Sequence, residues 1–238
     1  LKTSSLIQSL WIGEALSPME HLCFRSFVAA GHPVDLYVYG DVKNVPAGVR
    51  LRDASEVLPS SRIFRYREHD SVAGFANFFR YALLLERGGW WVDADMVCLR
   101  PFAFASEYVF ASEITYKRPL ITNCVMHVPP GSVMMQRAFE VCDATDPSTI
   151  RWGDTGPRLC TQLVAELGLE SYVLPPEVFC PVEWANWRVL ADPAARLRLP
   201  RTAYAVHLWN EMWRRGGADK HTIDADHLYA RLRTAAGR

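Results

Sequence analysis

Asp93 and Asp95 stand one residue apart behind the apolar run Trp90-Trp91-Val92. Two carboxylates at the carboxyl end of a strand, where the chain bends into a loop, point toward one place, and open α/β sheets bind ligands at such strand ends. The pair repels itself unless a cation lies between, and a hard divalent ion with oxygen ligands suits it. An ion held there grips a diphosphate and neutralises the charge that grows on it as it leaves. The chemistry to expect is that of activated phosphate esters. The tripeptide alone decides little, because Asp224-Ala225-Asp226 repeats it ahead of His227-Leu228-Tyr229. Acids at that helix start are explained by capping and the helix dipole. The first copy differs in its setting: a helix, Gly88-Gly89, a buried aromatic strand, the acids, then Arg100-Pro101-Phe102.

The elements that must position these acids follow from apolar periodicity and punctuation. An apolar run predicts a first strand over 6–12, ending in Trp11-Ile12-Gly13. Ser17-Pro18-Met19-Glu20 is a capping box with proline at the first helical position, predicting a helix to about residue 30, with Gly31 as its stop. A second strand over 34–39 completes a β-α-β unit, the building block of parallel sheets. Residues 41–70 read as a short strand with irregular connections. Phe75, Phe78, Phe79, Ala82, Leu83 and Leu85 recur at helical spacing over 72–87, and the strand 90–92 follows the glycine pair. Beyond Pro101 the pattern predicts strands near 108–111 and 120–128, a helix near 133–142, and a turn at 152–157 feeding a helix that ends at 167–168. A proline-rich loop at 174–181, a last strand over 203–209 and a helix over 223–233 complete the reading. The expected class is α/β, a Rossmann-like, mostly parallel sheet flanked by helices, in a single domain spanning 1–238.

Composition narrows the functions. Half of the 238 residues are hydrophobic and 22% are charged, the balance of a packed domain. Lys plus Arg equals Asp plus Glu at 26 each, so no global field favours nucleic acid, and an anionic ligand needs a local site. No apolar stretch approaches the roughly 20 residues of a membrane helix. The six cysteines lie far apart without a CxxC pair, which speaks against a zinc knuckle and for a reduced, cytoplasmic setting, with peripheral membrane contact allowed.

The segment from Phe75 through Asn77, Arg80, Gly88-Gly89 and Asp93-Ala94-Asp95 to Pro101 resembles the sugar-binding DXD region of the retaining glycosyltransferases that include α-1,4-galactosyltransferases and yeast α-mannosyltransferases. A similar block occurs in clostridial toxin glucosyltransferase domains. The resemblance implies a GT-A fold with nucleotide-sugar and Mn2+ (or Mg2+) at the DXD loop. It assigns Asn77 and Arg80, three apart on one helical face, to the donor. Related enzymes often carry Asp where this chain has Asn77, an exchange that keeps hydrogen bonding and removes a charge. By the same resemblance Asp95 binds the metal with Asp93 assisting. His207, in a His-x-Trp segment, lies near metal and phosphates and with Asn210 is a third-ligand candidate. Trp11 packs on the base, and Trp209 and Trp213 are the candidates to lid the site.

Trp152-Gly153-Asp154-Thr155-Gly156-Pro157 resembles the family's Thr-Gly-Pro turn near the transferred sugar. Asp154 is therefore expected among the catalytic residues and Thr155 and Gly156 at the donor, although a helix entry capped by Asp154 or Thr155 explains the same residues. Asn123 is either satisfied by backbone or aimed at the sugar, Trp11, Trp209 and Trp213 could equally be core, and a lone histidine such as His207 is more often a satisfied polar residue than a ligand. The function implied is transfer of a sugar from a nucleotide-sugar, UDP-hexose before GDP-mannose, to a hydroxyl of a glycan or lipid-linked saccharide with retention. Two rivals stand beside it. One is a HAD-type phosphatase with Asp93 as nucleophile, and the other is a sugar-nucleotide-binding protein without catalysis.

Overall fold

The computed structural model describes residues 5–115, 118–221 and 227–235. The second Asp-x-Asp, at Asp224 and Asp226, lies outside the described residues. A six-stranded sheet has the order β3-β2-β1-β4-β7-β6, formed by β1 (Ile7–Trp11), β2 (Val34–Val38), β3 (Val49–Asp53), β4 (Gly89–Val92), β6 (Val109–Thr115) and β7 (Arg118–Val128). β1 to β4 run parallel, while β7 is antiparallel to both β4 and β6.

Side-chain alternation along each strand builds a core on both faces of this sheet. Trp90 and Val92 face one cluster with Leu36 and α1 (Pro18–Ala29), whereas Trp91 faces another with Tyr37 and α2 (Ala73–Arg87). The second cluster also receives α3 (Val133–Ala144) and α4 (Leu159–Glu166). Helix α1 begins at the expected capping box: Met19 N donates to Ser17 Oγ (3.2 Å) and Ser17 N to Glu20 Oε2 (2.7 Å). Glu20 is buried, and its other oxygen accepts from Lys220 Nζ at 3.0 Å, which ties this helix start to the C-terminal segment.

The turn from α2 into β4 needs its glycines. Gly88 has φ +59 and Gly89 φ +82, and a Cβ on Gly88 would run into the backbone of Pro130. The close approach therefore fixes where β4 starts, and through it where Asp93 emerges.

Two elements were not legible in the sequence. The chain leaves Asp95 directly into β5 (Met96–Cys98), which pairs antiparallel with β8 (Ala205–His207) in a separate two-stranded ribbon, Met96 opposite His207. After β8 the chain enters a short helix α5 (Asn210–Gly216), where the sequence suggested a strand continuing to residue 209. Trp209 stops that strand: its φ of 58 and ψ of 47 place a bulky residue in the left-handed region, a conformation that costs energy and turns the chain sharply. The last helix, α6, is described over Leu228–Ala235. Among the described residues no helix is long and apolar enough to cross a membrane.

Candidate active site

The acids project from the carboxyl end of β4 beside the middle of β7, where Asp93 N donates to Cys124 O at 2.8 Å. Asp93 Oδ1 accepts from Trp91 Nε1 at 2.7 Å and pairs with Arg80 Nη2. The Arg80 guanidinium, only 3% exposed, also stacks over the Trp91 ring at 4.6 Å. Burial raises the Asp93 carboxyl, and Asp95 adds to that, while Arg80 opposes both. The net direction is upward.

Asp95 has a different set of partners. Its Oδ2 accepts from Asn210 N at 2.9 Å, and His207 Nε2 lies 3.2 Å from the carboxylate. Leu208 N donates to the Asp95 backbone carbonyl at 2.9 Å. Burial alone would raise this acid too, but the charge and hydrogen bond of His207 and the Asn210 N–H outweigh it and hold the carboxyl below its usual range. Burial likewise would lower His207, yet Asp95 and Cys124 raise the imidazole well above its ordinary value. The left-handed turn at Trp209 aims the Asn210 N–H at the acid. Trp209 stacks on His207 at 3.7 Å and is anchored by its Nε1 to Val182 O at 2.8 Å.

Beside Asp93 lies a buried polar cluster that joins three elements. Arg80 Nη1 donates to Asn77 Oδ1 (2.6 Å), Asn123 Nδ2 to the same oxygen (2.9 Å), and Asn77 Nδ2 to Thr155 Oγ1 (3.2 Å). Gly156 closes it, because a Cβ there would sit 3.2 Å from Asn77 Nδ2. Sequence reasoning missed Tyr81, whose hydroxyl donates to Thr155 O at 2.8 Å and accepts from Asn123 Nδ2 at 3.1 Å. Its spacing of four from Asn77 on one helical face was the signal available. Also missed were Trp91, Lys220, which donates to Asn210 Oδ1 at 2.8 Å, and Glu113, a buried β6 carboxyl pushed up by burial to about 7.

The structure thus brings together Asn77, Arg80, Asp93, Asp95, Asn123, Thr155, Gly156, His207, Trp209 and Asn210. It does not bring Asp154 in. That carboxylate accepts from Arg151 N at 3.0 Å and from Arg158 Nη1 at 2.5 Å, so the side chain organises its own turn, and neither Asp154 nor Thr155 caps the helix entry through its side chain. Trp11 ends β1 as expected, and its indole Nε1 is buried without a hydrogen-bond partner.

The donor set fits a hard divalent ion. One ligand atom from each of Asp93, Asp95 and His207 lies within 4.8 Å of the others. Two carboxylates and an imidazole form a mixed oxygen and nitrogen set of the kind such ions accept.

A parallel sheet with paired acids leaving its central strand, backed by an antiparallel β7, defines a GT-A fold with a DXD site. The solved structure titled PaToxG Glycosyltransferase shares this fold at a TM-score of 0.51 and 13% identity, over 90% of this chain and 87% of that one. Residues 47–115 match the glycosyltransferase sugar-binding region containing the DXD motif, and residues 131–235 match the alpha 1,4-glycosyltransferase conserved region. Over these two stretches the chain is similar to DXD-containing glycosyltransferases and to glycosyltransferases of the α-1,4 type. Human alpha-1,4-N-acetylglucosaminyltransferase is 26% identical over 186 residues, 70% of this chain and 53% of the relative. Gorilla lactosylceramide 4-alpha-galactosyltransferase is 32% identical over 147 residues, 56% of this chain and 43% of the relative. The chain spans about half the length of these curated relatives.

Proposed function

We propose that this chain transfers a hexosyl unit from a nucleotide-sugar to a hydroxyl acceptor with retention of anomeric configuration. UDP-hexose is the favoured donor, ahead of GDP-mannose, and the acceptor is a glycan or a lipid-linked saccharide. The observation that carries this reading is the meeting of two differently held carboxylates, Asp93 and Asp95, with the amide cluster of Asn77 and Asn123. The word lactosylceramide in the name of one relative supports the lipid-linked acceptor. The α-linkage in the names of both supports retention.

Asp95 is the principal metal ligand, with Asp93 and His207 beside it. Arg80 already neutralises much of Asp93, so Asp93 is the weaker ligand and serves to position. A bound Mn2+ or Mg2+ would stabilise the negative charge that develops on the departing diphosphate. Asn77, Asn123 and Thr155 offer donors and acceptors that a sugar's hydroxyls can pair with. Their mutual bonds fix their orientation before the donor arrives, so little ordering is left for the reaction step. Trp209 covers one face of the His207 ring.

The test is release of free nucleoside diphosphate from a panel of UDP- and GDP-sugars with manganese. One donor should be turned over in a metal-dependent way, and Asp95→Ala should lower turnover about 10²–10³-fold, the scale of losing one main electrostatic stabiliser. Release of inorganic phosphate would support the phosphatase instead. Undiminished turnover by Asp95→Ala would remove Asp95 from the chemistry.

A further inference from the structure

Next to His207, two cysteines that are 56 residues apart in sequence meet. Cys124 on β7 and Cys180, in the segment following the turn at Pro176–Val178, have sulfurs 3.6 Å apart. Both are buried, at 1% and 3% exposure. One ligand atom from each of Cys124, Cys180 and His207 lies within 4.8 Å of the others. His207 is itself 7% exposed, and its Nδ1 is buried without a hydrogen-bond partner, while Nε2 faces Asp95.

We propose that Cys124, Cys180 and His207 form a second metal site, selective for a thiophilic divalent cation such as Zn2+, which shares its histidine with the acid pair. Three features support it. A tetrahedral ion about 2.3 Å from each of two sulfurs separates them by about 3.8 Å, close to the spacing found here. Two thiolates and an imidazole are soft donors, unlike the oxygen-rich set a few ångströms away. The orphaned Nδ1 gains the partner its burial otherwise denies it.

The arrangement also has a mechanical logic. An imidazole that ligates a metal through one nitrogen commonly gives the other N–H to a carboxylate, which fixes the ring's tautomer and orientation. Here that carboxylate is Asp95. Filling the sulfur site through Nδ1 leaves Nε2 protonated, so His207 then positions Asp95 and the hard ion of the acid pair is held by Asp93 and Asp95 without it, while the two thiols release their protons to solvent as they bind. The fourth position is left to a water, as in zinc sites with three protein ligands. This site is independent of which sugar is transferred.

The test uses the full chain, reduced, stripped of metal with a chelator and titrated with Co2+ alone. One equivalent per chain should produce a thiolate-to-cobalt charge-transfer band and the strong visible bands of a four-coordinate ion, and Zn2+ should displace both. Cys124→Ser and Cys180→Ser should each abolish the charge-transfer band, whereas Cys142→Ser, at a buried cysteine on α3, should keep it. Asp95→Ala should keep the band while losing transfer, which separates this site from the proposed function. Circular dichroism verifies folding. Should the serine variants not fold, X-ray absorption on the zinc-loaded parent decides, with two sulfur neighbours expected. No band in the folded parent, a band surviving both serine substitutions, or a Cys124–Cys180 disulfide in the freshly purified protein would overturn the proposal.

Discussion

Asp93 and Asp95 are neighbours in the chain yet belong to two differently built halves of the site. Asp93 is held locally: Arg80 comes from 13 residues earlier and Trp91 from two, both on the helix-turn-strand unit of α2 and β4. Asp95 is held by His207 and Asn210, 112 and 115 residues away, on a ribbon and helix that return to the sheet from the far end of the chain. The first half is finished as soon as α2 docks on its strand, and the Asn77–Asn123–Thr155 bonds stiffen it further. The second exists only once β8 has paired with β5. One acid therefore belongs to a preorganised scaffold, and the other reports whether the C-terminal segment has closed over it.

The comparison is sharpest where the local half is broken. Arg80→Ala should destabilise the fold by about 3–5 kcal/mol, since it leaves Asp93 as an uncompensated, half-buried charge. Urea denaturation measures this, and a loss within error of the parent would show that Asp93 is solvated rather than paired. A third carboxylate extends the argument. Glu113 accepts only a hydroxyl hydrogen bond, from Thr115 Oγ1 at 3.2 Å, among its described contacts, and burial pushes it up to about 7. Its folded value lies above the unfolded one of about 4.3, so its contribution to stability is complete below that value and is lost as pH rises from there through 7. Glu113→Gln should remove that loss and stabilise the protein at pH 8 by up to about 3 kcal/mol, each pH unit of displacement corresponding to about 1.4 kcal/mol. Denaturation at pH 4 and pH 8 should show the variant about equal to the parent at the lower pH and ahead at the higher.

The distal half is probed more gently by Trp209→Phe, which removes the indole donor to Val182 O and leaves that carbonyl without its partner, at a cost of about 1–3 kcal/mol. The apparent manganese affinity should weaken as well, because Asp95 loses a firmly placed Asn210 N–H. A variant with weaker folding and unchanged manganese dependence would separate Trp209 from the acid. Ser17→Ala provides the smallest effect, about 1 kcal/mol from loss of the α1 cap, with donor turnover unchanged.

The legible parts of the site were those made by neighbours in sequence. The α2 periodicity, the Gly88-Gly89 stop and the Trp-Trp-Val strand announced the Asp93 side because each is a short-range pattern tied to backbone geometry. Helix α1 was equally plain from its capping box. The three-residue strand β5 was missed because three residues carry no periodicity, and its existence depends on a partner more than a hundred residues later. Asp154 was drawn toward the site by the Thr-Gly-Pro pattern, although the side chain satisfies itself within its own turn. The cysteines show the same limit. Their spacing spoke against a metal knuckle, and only the packing of β7 against the segment around Cys180 brought two of them within reach of His207.

By itself the sequence determined the alternation that buries Trp90 and Trp91 on opposite faces, the glycine turn that fixes where β4 begins, and the pair of acids that follows it. These are local consequences of side-chain volume, backbone freedom and strand pleating. Tertiary structure alone decided that Asp93 answers to Arg80 while Asp95 answers to His207 and Asn210, and that Cys124 and Cys180 meet within reach of the same histidine. Pairings of that kind are set by long-range strand register and by the left-handed turn at Trp209, which no short-range pattern encodes.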